Sequence, residues 1–223
     1  MEQMQILLAI LVLLPFVSAL LLALCGSDRM RRLIVYGSAG VLMISAVAFA
    51  VCFFSGENLQ LRFLQSGGII DHTMLALEAG FAVLITVLSI KYRRYYVAVL
   101  SIVQTVLTFV YELGGYKPAV QPYNLFADQL TVIMVLIIAV VGTLITVYAV
   151  GYMRDYHSHH KEYTDRRRFF FAMLYVFLGA MFGLVLSNSL LWLYFFWEIT
   201  SLVSFLLIGY TRTKEAVQNS FRA

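Results

Sequence analysis

Two carboxylates in this sequence stand where a charge is expensive. Glu198 lies near the middle of an apolar stretch, in Phe196-Trp197-Glu198-Ile199-Thr200-Ser201. Glu78 lies about two turns into another, in Leu75-Ala76-Leu77-Glu78-Ala79-Gly80. A carboxylate inside hydrocarbon costs several kcal/mol unless it is paired, so such groups face a bundle interior and mark ion or proton paths. A positioned acid that gains and loses a proton suits that work. Tyr194, Glu198 and Ser201 stand at i−4, i and i+3, which puts them on one helix face. They should form an inward polar stripe that supports Glu198. The plainer alternative for Glu198 is an acid that hydrogen-bonds a neighbouring helix and only holds the packing. For Glu78 the alternative is snorkelling, because about two turns of helix separate it from the interface.

Other residues carry less chemistry. His157, His159 and His160 cluster in a polar loop, but no further ligand is set by a regular element, so a solvated loop is expected rather than a metal site. Arg166, Arg167 and Arg168 open an apolar segment, as a topology anchor or a contact for anionic lipid or a partner subunit. Cys25 and Cys52 sit singly in apolar runs, and no CxxC spacing exists. No P-loop, dinucleotide fingerprint, nucleophile elbow or haem motif occurs. No cofactor, metal or catalytic centre is therefore expected on this chain. Gly179 and Gly183 form a GxxxG, which allows close helix approach.

The elements that must position these residues are membrane helices. Of 223 residues, 61% are hydrophobic and 13% charged, too few charges to cover a water-facing surface. Seven apolar segments run over about 4–25, 32–54, 73–90, 95–112, 128–153, 169–186 and 189–210. Each approaches the length needed to cross a bilayer. The fourth is interrupted by Gln104 and Thr105. Only Ser187-Asn188-Ser189 separates the last two, which predicts a tight hairpin. The first is too long for a signal peptide and has no basic leader, so it reads as a retained helix. Fourteen of the 16 Lys and Arg residues fall in alternate loops and the C-terminal tail; only Arg62 and Lys117 lie on the other side. Positive-inside bias then puts the N-terminus outside and the C-terminus in the cytoplasm. The basic residues cluster at segment ends without interleaved aromatics, so nucleic acid is not an expected partner. The expected fold is an all-α polytopic membrane helix bundle of about seven transmembrane helices.

Ordered blocks from about Phe126 onward carry a resemblance. They are Ala127-Asp128-Gln129-Leu130-Thr131, Tyr148-Ala149-Val150-Gly151-Tyr152-Met153, Arg168-Phe169-Phe170, Leu184-Val185-Leu186-Ser187-Asn188-Ser189-Leu190, Phe196-Trp197-Glu198, and Ser201-Leu202-Val203-Ser204-Phe205-Leu206-Leu207-Ile208-Gly209-Tyr210. This pattern resembles the antiporter-like membrane subunits of respiratory complex I and its relatives: the NADH-quinone oxidoreductase chain 5 type, the Mrp antiporter large subunit, and energy-converting hydrogenase membrane subunits. The resemblance implies that residues 1–125 form an N-terminal transmembrane region and 126–223 the start of the antiporter-like domain. It implies that Glu198 belongs to a proton pathway, paired in the family with a lysine on a later, broken helix. No lysine lies inside any apolar segment here, so the chain reads as the N-terminal part of a longer frame or as one half of a split subunit. The expected function is proton translocation in a complex I-like or hydrogenase complex, driven by electron transfer in redox subunits. A Mrp-type cation/proton antiporter and a non-pumping structural module are the alternatives. The implied place is the cytoplasmic membrane, multi-pass, among other membrane subunits and lipid.

Overall fold

The computed structural model describes residues 2–56, 61–65, 69–93, 95–113, 123–160 and 162–222. Its helices are α1 (Glu2–Leu24), α2 (Asp28–Phe54), α3 (Ile69–Lys91), α4 (Tyr95–Leu113), α5 (Gln129–Ile137), α6 (Thr143–His159), α7 (Arg167–Leu186), α8 (Leu190–Ile208) and α9 (Lys214–Ser220). Two short strands, β1 (Leu61–Gln65) and β2 (Tyr123–Ala127), pair with one another. Among the described residues, six helical spans are long and apolar enough to cross a membrane, and α4 supplies a shorter apolar helix over Tyr95–Tyr111. The fold is all-α, as the composition requires. In the fourth segment the polar Thr105 hydroxyl donates to the Ser101 carbonyl one turn back (2.8 Å), so it is satisfied inside its own helix. Gly114, Gly115, Lys117, Pro118 and Pro122, expected in a turn-rich outer loop, lie outside the described residues.

The chain groups into two compact units. One comprises residues 1–61, 126–186 and 196–223; the other comprises 62–125 and 187–195. In the first unit, α1 packs against α2 and α7, and α2 packs against α5 and α6. Lipid tails are as apolar as leucine, so close van der Waals contact, not hydrophobicity, holds such helices together. Small residues supply it. A Cβ on Gly179 would lie 2.9 Å from the Phe16 ring, and one on Gly183 would lie 2.4 Å from the Phe196 ring. The GxxxG of α7 therefore seats one aromatic from α1 and one from α8.

The fifth segment departs from a single regular helix. Asp128 caps α5, its carboxylate accepting from the Thr131 backbone N–H (2.8 Å) and hydroxyl (2.9 Å). The Thr131 N–H foremost holds this carboxyl below its ordinary range. The helix then widens into a π segment over Ile138–Gly142 before α6 begins. Gly142 ends it against α7, where a Cβ would lie 2.4 Å from Leu178. The segment also runs on to His159, six residues beyond the expected end at 153. Apolar patterning cannot show that extension, because the last turns are polar.

In the second unit, α3 packs along α4. The Ser187–Ser189 connection is tied to β2: Leu125 bridges Ser187, the Asn188 N–H donates to the Asn124 carbonyl (2.8 Å), and its side-chain amide donates to the Tyr123 carbonyl (2.9 Å). The Ser189 hydroxyl accepts from the Trp192 N–H (3.4 Å) at the start of α8. Sequence spacing shows a short turn there, but not the strand it pairs with.

Candidate functional site

Glu198 sits near the middle of α8, and only 9% of it is exposed. Its helix neighbours set that position. Phe196, Ile199 and Val203 are buried with it, whereas Trp197 is 59% exposed. The side chain of Phe196 occupies the notch left by Gly183, which fixes the rotation of α8 two residues before the acid. A carboxylate held in a span by such packing is a group that can store a proton away from bulk water.

The other members of the expected stripe divide. Tyr194 is half-buried and Ser201 is exposed. Ser201 stands three residues on from Glu198, about 60° around the helix at 3.6 residues per turn, enough to carry it past the edge of the buried face. The inward stripe at this height is therefore Glu198 with apolar neighbours, and Ser201 does not share its burial. The Thr200 hydroxyl bonds its own helix at the Trp197 carbonyl (2.8 Å), and Ser204 does the same at Thr200 (2.8 Å).

Glu78 belongs to the second unit and is 2% exposed. Snorkelling to the surface is thus not what its side chain does. One turn along α3, Phe81 meets Phe195 edge-on, with ring centroids 5.6 Å apart.

A second polar group gathers where α6 ends, α7 begins and α8 ends. His157 Nε2 and the Tyr210 hydroxyl share a hydrogen bond of 2.7 Å. The Tyr210 hydroxyl also accepts from the Arg166 backbone N–H, and its carbonyl accepts from the Arg166 guanidinium, both at 3.3 Å. His157 lies 3.8 Å from Asp165, and Asp165 is bound by Arg167 at 2.7 Å. Arg167 holds the Asp165 carboxyl down at about 2, while burial pushes the Tyr210 phenol up. The expectation of a solvated histidine loop is therefore corrected for His157, while His159 and His160 are exposed. His157 and His159 lie on the last turn of α6, and the His157 side chain is 10% exposed. No cluster of three or more potential metal ligands occurs among the described residues.

Sequence reading also missed a polar contact inside the first unit. Tyr175 on α7 is fully buried, and its hydroxyl lies 2.6 Å from the Ser38 hydroxyl and donates to the Val35 carbonyl on α2 (3.1 Å). Thr143 and Thr146 on α6 are each 1% exposed. Tyr, Ser and Thr are ordinary inside membrane helices, so residue type alone gave no signal.

Long apolar helices with a carboxylate buried in one of them define a multi-pass membrane protein with an interior ionisable site. Residues 121–170 match the family model for the N-terminus of chain 5 of NADH-ubiquinone oxidoreductase (complex I). The chain is 34% identical over 122 residues to a "Na(+)/H(+) antiporter subunit A1" of Staphylococcus haemolyticus, covering 55% of this chain and 14% of that protein. It is 28% identical over 161 residues to the protein of the same name in Staphylococcus aureus strain JH9, covering 65% of this chain and 19% of that protein. These matches support an antiporter-like membrane subunit family for this chain. The chain spans only 14% and 19% of the length of these relatives. The apolar helices and the bacterial relatives together support a multi-pass protein of the cell membrane.

Proposed function

We propose that this chain is part of a proton-translocating antiporter-like subunit, with Glu198 as a protonatable relay. The observation that carries the reading is the burial of Glu198 at mid-span on a helix whose rotation is fixed by Phe196 against Gly183. Glu78, buried on α3, is a second candidate proton carrier. The relay works with other membrane subunits, and a basic group that approaches Glu198 favours its charged form and one that recedes favours its neutral form. Cation/proton exchange is the favoured driving process, because the two longer alignments are to proteins named as Na(+)/H(+) antiporter subunits. Coupling to electron transfer in redox subunits is the second reading, favoured by the chain 5 match over residues 121–170.

The test is proton flux in everted vesicles carrying the native complex. Sodium addition and electron-donor addition are measured separately, for wild type and Glu198→Gln. The proposal expects assembled complex at wild-type yield and flux reduced by about tenfold or more, in the range typical of losing a positioned acid–base group. Unchanged flux with reduced assembly would favour the structural-module alternative. The driver that produces flux in wild type separates the two couplings.

A further inference from the structure

Three helix ends bring arginines into one cavity. It lies where α2 begins, α6 ends and α7 begins, and holds about 260 Å³. Arg31 and Arg32 enter it from α2, Arg154 from α6 and Arg167 from α7, against one lining carboxylate, Asp28. Asp155 and Asp165 pair with Arg154 and Arg167 from outside the lining, and a positive balance remains after all three carboxylates are counted.

The arginines differ in how they are held. The Arg31 side chain is 8% exposed, pairs with Asp28, and has its guanidinium carbon 5.8 Å from the Phe171 ring centroid. Arg167, 21% exposed, lies 3.5 Å from Asp28 and 2.7 Å from Asp165. These two are fixed and already partly neutralised. Arg154 is 73% exposed and lies 3.6 Å from Asp155. Arg32 is exposed and makes no ion pair among the described residues. Two anchored cations thus stand beside two exposed ones: Arg154, held only by a solvent-exposed pair with Asp155, and Arg32.

Guanidiniums recognise phosphate oxygens through paired N–H donors. An inorganic phosphate and a phospholipid headgroup share that chemistry. The position favours the lipid. The cavity lies at the ends of membrane-spanning helices, the level where headgroups sit. On α2 the neighbouring Leu33 is 67% exposed and Tyr36, which lines the cavity, is 51% exposed, so an apolar track leads away from the arginines. Basic pockets between helix ends are known to take anionic headgroups. We infer that this cavity binds the phosphate of an anionic phospholipid, with Arg32 and Arg154 closing on it and its acyl chains lying along Leu33 and Tyr36. This site is separate from Glu198 and does not depend on the proposed transport role.

The test is native mass spectrometry of the delipidated full chain, titrated with phosphatidylglycerol, with phosphatidylcholine of the same chains, and with inorganic phosphate. The double variant Arg32→Gln/Arg154→Gln changes two exposed side chains, so the fold should stand. Arg212→Gln/Lys214→Gln, at the start of α9 and just before it, is the charge-matched control. The inference expects selective binding of phosphatidylglycerol, weakened roughly tenfold or more in the first variant and unchanged in the control, as befits two interfacial cations. It is overturned if both variants weaken binding equally, or if phosphatidylcholine binds as well. It is also overturned if inorganic phosphate competes at equal concentration.

Discussion

The Phe196 ring lies where a side chain on Gly183 would have to go: a Cβ there would fall 2.4 Å from Cζ. Phe196 is 5% exposed, so its ring has little room to give way. The pair joins α7 to α8 two residues from Glu198, and the glycine is thereby linked to the orientation of the acid.

Gly183→Ala should therefore destabilise the bundle by about 1–3 kcal/mol, the usual size of an overpacking cost. Thermal unfolding of the purified chain in detergent checks this. Gly183→Ala/Phe196→Leu should recover part of the loss, because the smaller side chain vacates the ring position. A Gly183→Ala protein as stable as wild type would mean that the contact relaxes freely.

Tyr210 joins three chain segments through one hydroxyl, which meets His157 and the Arg166 N–H. Tyr210→Phe keeps the ring and its edge contact with Phe170 but strands those partners. The expected cost is about 1–3 kcal/mol, that of leaving buried polar groups unsatisfied. Hydrogen exchange should rise at the end of α6 and the start of α7, and not in α3 and α4.

Asp165 gives a pH signature. Its carboxyl is held at about 2, below its ordinary 3.8, chiefly by the Arg167 side chain. A lowered folded-state value adds stability that is fully present above about pH 4 and fades as pH falls towards 2. Acid titration of unfolding in detergent should show this loss in wild type, and Asp165→Asn should lack that part of the slope. The size should be modest, because the side chain is half exposed and solvent screens the pair.

The fold was legible because bilayer length and apolar runs are strong constraints. The short connection at Ser187–Ser189 and the interior acids also follow directly from residue type. What escaped the sequence depended on three-dimensional neighbours. The π segment at Ile138–Gly142 is apolar throughout, so no residue marks the extra width. His157 looked solvated because its partners, Asp165 and Tyr210, are 8 and 53 positions away. Ser201 shared a nominal helix face with Glu198 yet lies exposed, since Phe195, Ile199 and Val203 put the buried arc of α8 to one side of Glu198 and Ser201 falls on the other. The basic-residue alternation had a clear consequence: Arg31 and Arg32 at the start of α2 meet Arg154 near the end of α6 and Arg167 at the start of α7 in a single cavity.

The central claim is that Glu198 takes up and releases a proton inside the membrane. Infrared difference spectroscopy of the reconstituted native complex across a pH step reads this directly, through the stretch of a protonated carboxyl. Wild type should show a carboxyl band whose intensity changes with pH, and Glu198→Gln should lack it while keeping the remaining spectrum. An identical pH-dependent carboxyl band in both proteins would contradict the claim and leave Glu198 as a packing residue.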